Sequence, residues 1–140
     1  MKLYKCDEPN DNVPFFISIL NSLNLDKNDY KWIVSDLELV PIFHGDYSGV
    51  GDNNIHSLSY CFVKKMEQNK IVIIDSFGLF NVLKDTQSIR NGVFICIENH
   101  FNIDIYNYRP KVECKNTNQP YDSRAKYEIR ILDGDLFFVL

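Results

Sequence analysis

Residues 93–97, VFICI, are the stretch that most restricts what this chain can become. Five consecutive apolar residues, β-branched or aromatic except for Cys96, are too few for a membrane span and leave no polar side for solvent. Such a run reads as a strand buried on both faces, at the centre of a sheet that must be covered twice. Residues 103–108 follow after a largely polar break of four residues, Asn99 to Asn102. In that second stretch Ile103 and Ile105 alternate with Asp104, Tyr106 and Tyr108, so a second strand, hairpinned to the first and buried on one face, is expected.

The remaining chain supplies the partners. Residues 2–5 read as a short strand, and residues 6–12 as a polar turn. Asn12 or Asp11 then caps a helix over 13–23 with Pro14 in its first turn. Phe16, Ile19, Leu20 and Leu23 recur at offsets of three and four, and so form one apolar stripe for the sheet. Residues 30–34 alternate as a strand, with Trp32 expected in the core. A second apolar run over 37–43 is stopped or held at an edge by Pro41. Residues 55–66 fit a helix or a strand, 71–74 a buried strand, and 78–86 a short helix or an irregular crossing. Asp133-Gly134 between the apolar runs 127–132 and 135–140 is a hairpin signal. The expected fold is one α+β domain over residues 1–140: a mainly antiparallel sheet of about five to seven strands, with one or two helices packed on a face.

Charge and cysteine usage narrow the function classes. A net charge of -4 argues against a nucleic-acid-binding surface, which normally carries a basic excess. No stretch is long and apolar enough for a membrane helix, and residues 1–11 hold no apolar leader, so a cytoplasmic protein is expected. None of Cys6, Cys61, Cys96 and Cys114 falls in a CxxC pair, so neither a zinc ribbon nor a thioredoxin-like site is indicated, and free thiols are expected.

Two polar stretches, 44–54 and 109–125, are read as long loops, and loops of that length are usually functional. The first, HGDYSGVGDNN, brings His44, Asp46, Ser48 and Asp52 close in sequence. Imidazole and carboxylate together can ligate a metal or move a proton, which makes a small hydrolase or metal-dependent enzyme centred on this loop the alternative reading. The glycines there match no phosphate-binding or dinucleotide fingerprint, and no GxSxG frame surrounds Ser76. The favoured reading is non-enzymatic. Tyr47 and Tyr121, each beside an aspartate, are candidate anchors for a protein partner, with Asp46, Asp52 and Asp122 steering a basic one. No metal or cofactor is expected.

The N-terminal helix, YKWIVSDLELVPI (30–42), NKIVIIDSFGLF (69–80) and VFICIENHFNIDIYNY (93–108) together resemble, in order and pattern, a family of small bacterial proteins with no assigned activity. That resemblance implies an α+β fold. In size and acidic balance the chain also resembles the immunity proteins of bacterial toxin systems, which implies a cognate toxin, with a basic surface, as the partner.

Overall fold

Strand β4 (Thr86–Glu98) contains the VFICI run and has both edges occupied. In the computed structural model, which describes residues 1–42, 58–112 and 118–140, it lies between β2 (Tyr30–Pro41) and β5 (Tyr127–Leu132). Strands β1 (Lys2–Lys5), β3 (Ile71–Asp75) and β6 (Leu136–Val139) complete a six-stranded sheet in the order β1-β6-β5-β4-β2-β3, every neighbouring pair antiparallel. Among the described residues three α-helices accompany it: α1 (Val13–Ser22), α2 (Leu58–Asn69) and α3 (Ser76–Lys84). The α+β class and the antiparallel sheet are therefore as the sequence indicates. One helix more than expected is present, because residues within 78–86 complete a helix that starts at Ser76.

The alternation of side chains along β4 divides the core in two. Phe94 and Cys96 join Phe16, Trp32, Leu79, Ile129 and Phe137 on the helix-covered face. Phe16 sits against Phe94 and Phe137, at ring-centroid distances of 4.8 and 5.9 Å. Val93, Ile95 and Ile97 point to the other face, with Ile33 and Ile71. Among the described residues no helix packs on that face. Phe101, Ile103, Tyr108, Val112 and Ala125 pack there from the segment joining β4 to β5.

This corrects the expected hairpin partner. Residues 103–108 form no strand. Both hydrogen-bonding edges of β4 are taken by β2 and β5, so the alternating apolar residues that follow it are laid across the sheet rather than beside it. The two runs 30–34 and 37–43 are likewise one strand through Pro41, interrupted by a bulge between Ser35 and Glu38, where Asp36 has a φ of 50°. Gly92 lies opposite the bulge, and a Cβ there would stand 2.7 Å from the Phe94 ring.

Asn12 occupies the N-cap position of α1 but its side chain caps nothing. The buried amide accepts from Ile89 N (2.8 Å) and donates to Ile89 O (2.7 Å) and Gly134 O (2.8 Å). It thereby ties the start of the helix to β4 and to the Asp133-Gly134 hairpin, where both residues have positive φ as such a turn requires. Asp75 does cap: its Oδ1 accepts from Gly78 N at 2.6 Å, starting α3. Trp32 is in the core, and its indole donates to Ser76 Oγ.

Phe16→Ala and Ile95→Ala test the two half-cores separately. Each is expected to lower unfolding free energy by about 2–5 kcal/mol in a denaturant titration, since each removes a fully buried side chain from a packed layer.

Candidate interaction surface

The second sheet face is closed by residues 99–112 and 118–126, and the sheet residues that point at this segment hold it down. Along β2 these are Lys31, Ile33 and Ser35. The Lys31 ammonium donates to Asn99 O (3.1 Å) and to Phe101 O, Ile33 packs beneath, and Ser35 Oγ donates to Pro110 O. From the bulge, Asp36 Oδ2 accepts from Val112 N at 2.7 Å. A cleft of about 500 Å³ opens beside this point, with Asp36, Glu38, Lys70, Arg109 and Lys111 among its walls.

Along β5 the residues facing the segment are Glu128 and Arg130, opposite Ile95 and Val93. Both are buried, with 0% and 2% of their surface exposed. Arg130 Nε donates to Glu128 Oε2 at 2.6 Å, and its Nη2 donates to Gln119 O at 2.8 Å. Tyr121 N donates to the second carboxylate oxygen, Oε1, at 2.8 Å, and the Tyr121 ring covers the guanidinium at 4.5 Å. Arg130 Nη1 is buried and, among the described residues, has no hydrogen-bond partner, while the Tyr121 ring lies over the same guanidinium. Burial pushes the Glu128 carboxyl above its ordinary value, against the lowering effect of Tyr121 N and Arg130.

A second charged pair lies within the covering segment itself. Asp122 accepts from Arg124 Nε (2.9 Å) and Nη2 (2.7 Å), a two-pronged contact, and from Tyr108 Oη at 3.1 Å. Those hydrogen bonds from Arg124, outweighing partial burial, lower the Asp122 pKa from its ordinary 3.8 to about 2. Burial raises the Tyr108 phenol, and the neighbouring Asp122 charge adds to the effect.

The same segment carries an outward tip. Asp104 Oδ1 accepts from Tyr106 N (3.0 Å) and Oδ2 from Asn107 Nδ2 (2.7 Å), while Asn107 N donates to Asp104 O (3.3 Å). Arg109 Nη1 clamps the turn from behind, donating to Ile105 O (2.6 Å) and Tyr108 O (2.7 Å). Within this hydrogen-bonded turn Ile105 is exposed and Tyr106 leaves 82% of its surface open.

The site residues indicated by the sequence fall into three groups. His44, Asp46, Tyr47 and Asp52 lie outside the described residues. Tyr121 keeps 39% of its surface exposed while its hydroxyl donates to Lys111 O. Asp122 faces inward and is committed to Arg124 and Tyr108, so its charge is neutralised within the fold. The stretch 109–125, expected as an exposed loop, is irregular and mostly exposed in its described parts, with Pro110, Val112, Asp122 and Ala125 turned towards the core. Sequence reasoning missed Tyr106, although Asp104 and Asn107 at the first and last positions of a four-residue turn were a readable signal. It also missed Glu128 and Arg130, whose alternation with Ile129 and Ile131 resembles an ordinary solvent face. The other chemistry considered resolves structurally. Cys6 and Cys96 are free, buried thiols, and burial pushes Cys96 up to about 12. Ser76 Oγ accepts from Trp32 and donates to Tyr30 O. Among the described residues no three His, Cys, Asp or Glu side chains converge as metal ligands, and no helix is long and apolar enough to cross a membrane.

Comparison with family models, with curated proteins and with solved structures finds no match to this chain.

Two outcomes are expected of the charged pairs. Asp122 has a depressed folded pKa, so its stabilising share is complete above its unfolded value and is lost as pH falls from 3.8 towards about 2. Glu128, with a raised pKa, acts in the opposite sense, its share being lost as pH rises through the folded value. Asp122→Asn should therefore flatten the acid limb of stability between pH 3.8 and about 2, read by thermal unfolding across that range. Arg130→Met should cost about 3–5 kcal/mol, because it strands the Glu128 charge. Adding Glu128→Gln, which keeps the acceptor for Tyr121 N, should recover much of that loss in a denaturant double-mutant cycle.

Proposed function

We propose that this chain is a non-catalytic protein-binding domain, that its contact surface is the segment covering the second sheet face, and that its partner is a bacterial toxin neutralised by being occupied. The observation that carries the reading is the Asp104–Asn107 turn. It presents an aromatic and an aliphatic side chain, Tyr106 and Ile105, to solvent on a backbone already fixed by side-chain hydrogen bonds. A large exposed aromatic is normally costly to order on binding, and pre-organisation removes much of that cost. Tyrosine is also among the residues that most often anchor interfaces.

Three further features support the reading. The acids and bases with shifted pKa values on this face, Asp122, Glu128 and Tyr108, are all tied to partners that hold the cover in place. The net charge of -4 suits a basic partner, and Asp46 and Asp52 remain the proposed steering charges. The toxin as partner rests on the resemblance in size and acidic balance to immunity proteins.

The test starts with capture of the partner from the source cell and continues with calorimetric titration of the purified pair. Tyr106→Ala is expected to weaken binding by about 1–3 kcal/mol at both low and high salt. Asp46→Asn combined with Asp52→Asn should weaken it mainly at low salt, through slower association. Tyr121→Ala is a poorer probe, because it also uncovers Arg130. A partner that binds Tyr106→Ala and Ile105→Ala as tightly as the unaltered chain would sink the proposed surface. A captured toxin whose activity persists in the complex would sink the neutralising role.

A further inference from the structure

The two outer strands of the sheet are built differently. At one edge, β1 (KLYK) begins and ends with lysine. Lysine on an edge strand discourages pairing with another sheet. At the other edge β3 reads IVIID, with four consecutive branched apolar residues and no charge before Asp75. Its inner edge pairs with β2, and among the described residues no strand pairs with its outer edge. Ile73, at the midpoint of the strand, leaves 38% of its surface exposed on the face where Ile71 is buried. Phe77, in the first turn of α3, stands exposed just beyond the end of the same strand.

We propose that β3 is the docking edge for a second copy of this chain, and that two β3 strands pair antiparallel about a two-fold axis near Ile73 to give one continuous sheet. Main-chain hydrogen-bonding groups on an edge that no described strand pairs with call for an extended strand as occupant. Charge selects which strand. Lys70 immediately precedes β3 and Asp75 ends it, both exposed. In an antiparallel pair centred on Ile73, each Lys70 lies at the end where the other copy carries Asp75. Parallel pairing would instead bring Lys70 to Lys70. The strand is therefore complementary to itself in one orientation only, the one that closes as a symmetric dimer. The two exposed Ile73 side chains meet at the axis, adding apolar area. This surface lies at the end of the sheet, on β3, whereas the proposed partner surface belongs to the segment between β4 and β5.

Sedimentation velocity of the full chain over a dilution series tests it, with circular dichroism of each variant as the folding control. The chain is expected to dimerise, more weakly as salt rises. Ile73→Lys should abolish the dimer, whereas Leu3→Lys at the opposite edge should leave it unchanged. Lys70→Glu, an exposed charge reversal that decides the matter if Ile73→Lys does not fold, should weaken association about tenfold by placing like charges together. Adding Asp75→Asn, which retains an oxygen to cap α3, should restore part of that loss. A chain monomeric at every concentration overturns the proposal, including one that takes up a foreign strand instead. So does a dimer that survives Ile73→Lys and Lys70→Glu, or one lost on Leu3→Lys.

Discussion

A strand with apolar side chains on both faces needs two covers, and the rest of this molecule follows from how β4 obtains them. Helices supply the first in the usual way, by laying apolar stripes on the sheet. The second is supplied by irregular chain. A helix satisfies its own backbone groups, but an irregular segment over a core does not, so its carbonyls and amides need partners from below. That requirement explains why polar residues stand on the inner face of the sheet. Lys31 and Ser35 on β2, and Glu128 and Arg130 on β5, meet backbone groups of Asn99, Pro110, Tyr121 and Gln119.

Glu128 and Arg130 show what such an arrangement involves energetically. Two charges removed from water are stabilising only if each remaining donor and acceptor is met. Glu128 meets this condition with Arg130 and Tyr121 N. Arg130 meets it only in part, through Glu128, Gln119 O and the Tyr121 ring, since among the described residues its Nη1 has no hydrogen-bond partner. The pair thus couples the sheet to one particular placement of the cover. Loss of either partner loosens the segment that also carries Tyr106, so stability of the second half-core and presentation of the proposed contact surface are linked. Asp122 and Arg124 add a second fastening nearer the solvent.

Asn12 does for the helix-covered face what this pair does for the other. Its amide joins α1, β4 and the β5–β6 hairpin through three hydrogen bonds, where a capping residue would have served the helix alone. In both places a polar side chain that is short in sequence terms reaches elements far apart along the chain. Such groups define one register of the fold among several that hydrophobic pattern alone would allow.

Local pattern determined the parts of this protein whose reasons are local. The apolar stripe of α1, the two-sided burial of β4, the Asp-Gly hairpin and the core position of Trp32 follow from spacing within a few residues, and the α+β class follows from them. Tertiary structure decided the parts that depend on competition for the same edge or face. Residues 103–108 have the alternation of a strand, but β2 and β5 claim both edges of β4, and the stretch becomes a cover. Glu128 and Arg130 have the alternation of a solvent face, and that cover buries them. Asp122 reads as a steering charge until the fold brings Arg124 and Tyr108 to it. Side-chain periodicity reports which way a residue points, and only the arrangement of distant segments determines what it meets there.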